Sequence, residues 1–300
     1  MLDNLTVIPE GTPEAIASVA NNLINKEASA CGWLVTPKWK WADKEKAVNC
    51  LIKEIEENKN LNSLDKAACI SNARKIIKEY CNQNDIVQIA IDNLTKDAKP
   101  EKLDDDWLNF FMDKAKNISN EDVQIMFGKL LAEECNKQGT VSKQLIHILT
   151  IMNKKNADSF KKLCTYKCEI INQKEESLIV VPDINYASKY GIDLQFSDFF
   201  ELANVGLISY SSNFYEKLSP KAVYGIEEKQ LDLVYGEKII HIMNPNLYEL
   251  IPIGNITLTN SGNELATIIM EKKDYKYFSK LVEYFNDFKC TGIDIKVEEI

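Results

Sequence analysis

The 300-residue sequence contains a single arginine, Arg74, and only two histidines, His147 and His241. Arginine is the usual bidentate ligand of guanine and phosphate, so its scarcity and the net charge of −9 disfavour a chain-wide nucleic-acid surface. Two histidines leave little material for histidine-based catalysis. The common phosphate-binding, dinucleotide-binding, zinc-protease and serine-hydrolase motifs are missing too. The sequence therefore predicts a protein that is not an enzyme and that needs no cofactor and no metal.

Targeting and disulfide signals are equally sparse. Residues 1–4 lack the basic and apolar regions of a signal peptide, and no apolar run approaches the roughly 18 residues of a membrane span. The eight cysteines are scattered and form no CxxC pair, which is typical of reduced thiols. Cys164 and Cys168 are spaced to share a helix face, but no second pair accompanies them. These features predict a cytoplasmic protein without a transmembrane segment.

The composition is that of an ordinary globular protein, with 45% hydrophobic and 27% charged residues. On a soft prior of roughly 150 residues per domain, the length suggests two domains. Apolar residues follow helical spacing up to about residue 167, and short β-branched runs appear afterwards. We therefore predict a mainly α protein, with a multi-helix N-terminal domain over residues 1–169. A smaller α+β, winged-helix-like domain is expected over residues 170–300.

Several elements are predicted individually. Two separate helices are expected at about 65–81 and 85–94, interrupted by the polar residues between them. A β-hairpin is expected over 231–235 and 238–243 around a glycine-containing turn, and a closing strand over 293–297. The residues from 104 to 134 predict two short helices, with Asp104 to Asp106 as helix caps rather than metal ligands. Ser119 is the expected cap of the second helix, and Glu133 and Glu134 are expected on its solvated face.

One segment stands out as a candidate interaction surface because it combines tryptophan with lysine. The residues concerned are Trp33, Lys38, Trp39, Lys40 and Trp41. Such side chains suit a membrane surface or a nucleic-acid backbone. The alternative is that the tryptophans clamp the first helix against the next one.

Residues 104–111 (DDDWLNFF), 118–124 (ISNEDVQ) and 129–133 (KLLAE) resemble, in this order, a bacterial family known as domain of unknown function 2806. Trp107, Phe111, Leu130 and Leu131 form the core of the shared motif. Residues 142–149 and 157–163 match its following helices, so the resemblance covers about residues 10–170. Phe127 and Gly128 stand where tryptophan and alanine are expected. The family carries no assigned activity, and the resemblance therefore implies none.

The C-terminal part is similar to winged-helix modules. Residues 202–208 (LANVGLI) and 258–265 (LTNSGNEL) match two strings common in such modules, on either side of a strand hairpin. From residue 170 onward, however, 12 lysines and no arginine face 20 acidic residues, a net charge of −8. The expected recognition helix carries Asp198 and Glu201 and no basic residue. Because phosphate contacts supply much of DNA affinity, this helix has the wrong sign for DNA.

The leading functional hypothesis is a non-catalytic, cytoplasmic protein-interaction or regulatory protein that binds a protein partner or itself. A role in defence against phage is a conjecture attached to it. One alternative is a nucleic-acid-binding regulator that acts through the winged-helix module. Another is a peripheral membrane-surface protein that attaches through the tryptophan-rich segment.

Overall fold

The computed structural model describes residues 14–31, 41–171, 173–210, 216–218, 230–243, 251–254, 256–287 and 294–299. The chain divides into two compact units, Met1–Thr150 and Ile151–Ile300. The first unit ends earlier than the helical domain predicted over residues 1–169. The difference arises because the helix that starts at Lys154 packs on a helix of the second unit.

The N-terminal unit is helical. Helices α3, α4 and α5 build its core, and α1 packs against α4. A single 3-10 turn, Pro100–Lys102, links α3 to α4. The helices are α1 (Glu14–Cys31), α2 (Trp41–Glu57), α3 (Ser63–Asp92), α4 (Asp105–Ala115), α5 (Glu121–Asn136) and α6 (Lys143–Ile151).

Helix α3 is continuous over 30 residues, so the prediction of two separate helices was wrong. The polar residues that suggested a break are used in tertiary hydrogen bonds instead. The Asn82 side-chain amide donates to the Lys116 carbonyl oxygen at 2.8 Å, and Gln83 donates to the Met112 carbonyl at 3.0 Å. Both acceptors lie at the C-terminal end of α4, and the Met112 carbonyl also accepts from the Lys116 amide at 3.2 Å. These side chains therefore fasten α4 to α3 rather than ending α3.

Helix ends in this unit are capped by side chains. Asp104 accepts a hydrogen bond from the Trp107 amide at 2.8 Å, as the sequence predicted. Helix α5 is capped by Asn120, which accepts from the Val123 amide, so the prediction of Ser119 was one residue early. Ser142 likewise accepts from the Leu145 amide at 3.0 Å at the start of α6.

The C-terminal unit combines helices with antiparallel strands. Its helices are α7 (Lys154–Thr165), a 3-10 helix (Ile184–Tyr190), α8 (Phe196–Asn204), α9 (Asn260–Ile268) and α10 (Tyr275–Asp287). Its strands are β1 (Lys167–Ile170), β2 (Gln173–Ile179), β3 (Ile208–Tyr210), β4 (Glu216–Leu218), β5 (Gln230–Tyr235), β6 (Lys238–Met243), β7 (Ile251–Gly254), β8 (Ile256–Leu258) and β9 (Asp294–Glu299).

The main sheet has five strands in the order β2-β1-β5-β6-β9, and all of its pairs are antiparallel. The predicted hairpin is confirmed as β5 and β6, which turn between Tyr235 and Lys238. The predicted closing strand is confirmed as β9, the edge strand beside β6. Two smaller sheets pair β3 with β8 and β4 with β7. The protein is thus mostly helical with an antiparallel sheet, but its described elements do not identify a winged-helix domain.

The two strings that resemble winged-helix modules pack against each other. The Thr259 hydroxyl accepts from the Gly262 amide to cap α9 and donates to the Gly206 carbonyl at 2.7 Å. A Cβ atom at Gly262 would lie 1.9 Å from the Leu207 carbonyl oxygen. Glycine is therefore required there, because only its missing side chain lets α9 approach the start of β3 so closely.

No helix in the part of the chain that the structure describes combines the length and the apolar character needed to cross a membrane.

Candidate functional site

The predicted tryptophan-lysine surface falls largely outside the described residues. Trp33, Lys38, Trp39 and Lys40 are not among them. Trp41 is the first residue of α2, but its side chain is not described either. An interaction surface at this segment therefore stays a prediction.

The residues of the family motif lie in the core of the N-terminal unit. Trp107, Phe111, Leu130 and Leu131 are all buried. The ring of Trp107 stacks on Phe111 at 5.2 Å between centroids, and Phe111 contacts Phe127 at 5.3 Å. The Trp107 indole donates to the Val141 carbonyl oxygen at 2.9 Å. These side chains are positioned to hold helices together and not to contact a partner.

The aspartates before α4 serve as caps and surface charges. Asp104 caps the helix, and Asp105 forms an ion pair with Lys26 of α1. Within the described ranges, no group of three His, Cys, Asp or Glu side chains is arranged to hold a metal ion. Cys164 and Cys168 do not share a helix face as predicted, because α7 ends at Thr165 and Cys168 lies on β1. Burial raises the pKa of each of these two thiols to about 12.

The prediction that Glu134 lies on the solvated face of α5 was wrong. The residue is buried rather than solvated. Its carboxylate accepts hydrogen bonds from the backbone amides of Gly139, Thr140 and Val141, at 2.6, 3.1 and 2.9 Å. Three amide donors around one carboxylate explain why a charged group is tolerated inside the unit. Its role is to fix the loop between α5 and α6.

Glu27 of α1 is a second buried acid that the sequence did not single out. Both of its carboxyl oxygens lack a hydrogen-bond partner among the described residues. Burial raises the pKa of this carboxyl well above its usual range. Burial, and then the nearby Glu27, also raise the pKa of the Cys135 thiol. Glu27 thus carries its proton in the folded protein at pH values where an exposed glutamate has lost it.

Among the described residues of the C-terminal unit, a cluster of aromatic rings with two exposed phenylalanines lies on α8 and the strand that follows it. Phe196 and Phe200 are each 43% exposed, and their ring centroids are 5.0 Å apart. Phe200 also contacts Tyr210 of β3 at 5.8 Å. We call these three side chains the α8 aromatic patch. Contiguous exposed apolar side chains are unusual on a soluble surface and mark interaction sites.

Helix α8 exposes this patch because its buried positions lie elsewhere. An α-helix turns about 100° per residue, so Phe196 and Phe200 share one flank. Phe199 and Leu202 lie on another side and are buried in the unit. The sequence predicted the helix, but two pairs of large apolar residues at helical spacing did not reveal which pair faces outward.

The opposite flank of α8 borders a polar groove of about 490 Å³ between α7 and the loop before α8. Lys155 bridges Glu201 at 2.8 Å and Asp198 at 3.3 Å, and the hydrogen bonds to these carboxylates raise its pKa. Lys162 contacts Asp193 at 2.5 Å. Lys155 and Lys162, two of the lysines that line the groove, are therefore engaged by carboxylates. A phosphate would have to displace these carboxylates to bind there.

Residues 72–282, more than two thirds of the chain, match a protein family described as "Protein of unknown function (DUF2806)". The chain belongs to the DUF2806 family. No curated protein and no solved structure matches the chain.

The DUF2806 match corrects the extent of the resemblance seen in the sequence. It starts within α3 instead of near residue 10, and it continues past residue 170 to α10. The motif core, Glu134 and the α8 aromatic patch all lie within it. Helices α1 and α2, with Glu27 and the tryptophan-lysine segment, lie outside it, as does β9. The second unit is therefore part of what defines this family and not an unrelated addition.

Proposed function

We propose that this DUF2806 protein is a non-catalytic, cytoplasmic interaction protein that docks a protein partner through the α8 aromatic patch. The observation that carries the proposal is the pair of phenylalanines, each 43% exposed and in ring contact. Large aromatic side chains dominate the energy of protein interfaces because they bury much area at a small loss of conformational freedom. The patch supplies three such rings on one rigid helix and its neighbouring strand.

Charge favours a basic partner. Residues 170–300 carry a net charge of −8, and the whole chain carries −9. A partner that presents apolar side chains flanked by lysine or arginine would complement both the patch and this field. A second copy of the chain has the same negative charge, and this repulsion makes it the poorer occupant.

The winged-helix likeness of the C-terminal unit is part of the proposal. It is supported by the order of the 3-10 helix, α8 and β3, and by the close packing of α9 on the start of β3. In such a module α8 would occupy the recognition position. Its Asp198 and Glu201 favour a protein over a nucleic acid, since a duplex would meet carboxylates first. The alternative is that single-stranded bases stack on the exposed rings, and the experiment has to distinguish this from the docking of a protein.

We expect the double variant Phe196→Ser/Phe200→Ser to lose at least tenfold in affinity for a basic amphipathic peptide. Interface aromatics are worth about 2 kcal/mol or more each, and about 1.4 kcal/mol corresponds to tenfold. Fluorescence anisotropy with a labelled leucine-lysine peptide measures the affinity. Leucine-glutamate and serine-lysine peptides of equal length test the charge and the apolar side chains separately.

Tyr186 provides the matched control, because it is 64% exposed on the 3-10 helix of the same unit. The Tyr186→Ser variant should bind the leucine-lysine peptide like the unchanged protein. Equal binding of the peptide by the double variant would refute the proposed site. Tighter binding of a single-stranded oligonucleotide than of any peptide would replace the proposal with the nucleic-acid alternative. Co-sedimentation with liposomes that survives the double variant would point to the tryptophan-lysine segment instead.

A further inference from the structure

His241 lies between two carboxylates on the face of the five-stranded sheet. Its Nδ1 is 2.7 Å from an Asp232 carboxylate oxygen on β5, and its Nε2 is 3.0 Å from a Glu298 carboxylate oxygen on β9. The imidazole itself is largely shielded, with 15% of its side chain exposed. The ring thus bridges three adjacent strands, β5, β6 and β9.

This arrangement suits one protonation state. A neutral imidazole carries one N–H group and one lone pair, so it can donate to only one of the two carboxylates. Its lone pair would then face the other carboxylate oxygen and repel it. The imidazolium form donates from both nitrogens and is attracted by both charges. Among the described residues, the charged Lys296 is the cross-strand neighbour of His241 on β9.

The strand that His241 contacts through Glu298 is the outermost strand of the sheet. Among the described strands, β9 pairs with β6 alone, through a ladder from Lys238 and Glu299 to Met243 and Asp294. Residues 296–299 are exposed, so burial of side chains contributes little to holding the strand. Beyond the backbone ladder, Glu298 contacts His241, Glu299 pairs with Lys238 at 2.9 Å, and helix α10 packs against the strand. A change at His241 therefore acts on a strand that has several exposed residues at the edge of the described sheet.

We propose that His241 is a protonation switch: its imidazolium form fastens β9 to the sheet, and deprotonation loosens this strand. Loosening would uncover the backbone N–H and C=O groups of the β6 edge, which is the kind of edge that accepts an added strand. His241 and Asp232 lie within the region matched by DUF2806, whereas Glu298 and the rest of β9 lie beyond it. The device is independent of the α8 aromatic patch.

The direction of the pH effect follows from the contacts. Hydrogen bonding to Asp232 raises the pKa of His241, burial opposes this, and Glu298 adds to the increase. A histidine with a raised folded pKa contributes its full stabilisation below its unfolded pKa, about 6.5. That stabilisation is lost as the pH rises through the folded pKa. Strand β9 is thus held most firmly in mildly acidic solution and least firmly in alkaline solution.

Hydrogen exchange of the full chain at pH 6.0 and 8.5, corrected for intrinsic exchange rates, tests the switch. We expect the protection of residues 294–299 to fall about two- to fivefold at the higher pH, as one partly exposed ion pair is lost. In His241→Gln the protection should be low at both pH values. His147, exposed on α6, gives the matched control, and His147→Gln should behave like the unchanged protein.

Glu298→Gln serves as a second variant that leaves the histidine and its Asp232 contact in place. It should also remove the pH dependence of β9 protection. Nitrogen chemical shifts of His241 provide an independent readout and should show both ring nitrogens protonated at pH 6.0. A neutral ring at that pH would overturn the proposal. The proposal would also be overturned if the protection of β9 in His241→Gln kept the pH dependence of the unchanged protein.

Discussion

Replacing Glu134 with alanine is expected to lower the free energy of unfolding by at least about 3 kcal/mol. The reason is that three backbone amides, at Gly139, Thr140 and Val141, lose their acceptor together. Hydrogen bonds to a charged group are worth about 1.5–3 kcal/mol each, and an unsatisfied buried donor adds a desolvation cost. Urea denaturation followed by circular dichroism measures the loss.

The effect should extend to Trp107, since its indole donates to the carbonyl oxygen of Val141 in the same loop. We therefore expect the Trp107 indole N–H resonance to shift and its exchange with solvent to accelerate. Glu133→Ala is the matched control, because Glu133 is the half-buried neighbour on the same helix. If both alanine variants unfold at the same urea concentration, the Glu134 carboxylate does not hold the loop.

Local rules predicted the parts of the fold in which each signal and its partner are close in sequence. The cap at Asp104 acts three residues away, and the β5–β6 hairpin closes across two residues, Gly236 and Glu237. Helical spacing likewise identified the buried face that carries Trp107 and Phe111. Such features depend on backbone geometry that a short stretch of sequence determines.

The wrong predictions concern residues whose partners are distant in sequence. Asn82 and Gln83 were interpreted as a helix break because their acceptors, Lys116 and Met112, lie 34 and 29 residues away. Their polar side chains are indistinguishable in sequence from those that end a helix. The outward orientation of Phe196 and Phe200 was hidden for a related reason. Which face of α8 is buried depends on its packing against the rest of the C-terminal unit.

Buried acids are the hardest class to predict, because a carboxylate is normally a surface group. Glu134 could have been suspected from the loop that follows it, where Gly139 adopts a left-handed φ of 78°. A tight turn just after a helix leaves amide groups that need an acceptor. No comparable local signal accompanies Glu27, which lies in the C-terminal half of an ordinary amphipathic helix.

Replacing Glu27, in contrast to Glu134, is expected to stabilise the protein. We expect Glu27→Met to raise the free energy of unfolding at pH 4.5 by about 1–3 kcal/mol, the usual cost of an unsatisfied buried polar group, and to raise it further at pH 7, where removal of the ionisation adds to the gain. Methionine has a similar length and no polar atoms to satisfy. Glu27→Gln keeps an unsatisfied amide but removes the ionisation, so it should gain only the pH-dependent part. Urea denaturation at pH 4.5 and pH 7 measures both contributions.

The pH dependence of stability distinguishes the removal of a buried, neutral carboxyl from a simple gain in packing. Since the folded pKa of Glu27 is raised, only the unfolded chain releases the proton above its pKa of about 4.3. This group therefore lowers the free energy of unfolding by about 1.4 kcal/mol per pH unit, until the pH passes the folded pKa. In Glu27→Gln that contribution is absent, so its advantage should grow from pH 4.5 to pH 7. Glu14→Gln, an exposed change on the same helix, should show no such growth. An advantage of Glu27→Gln that is equal at both pH values would show that the carboxyl is not held neutral in the folded protein.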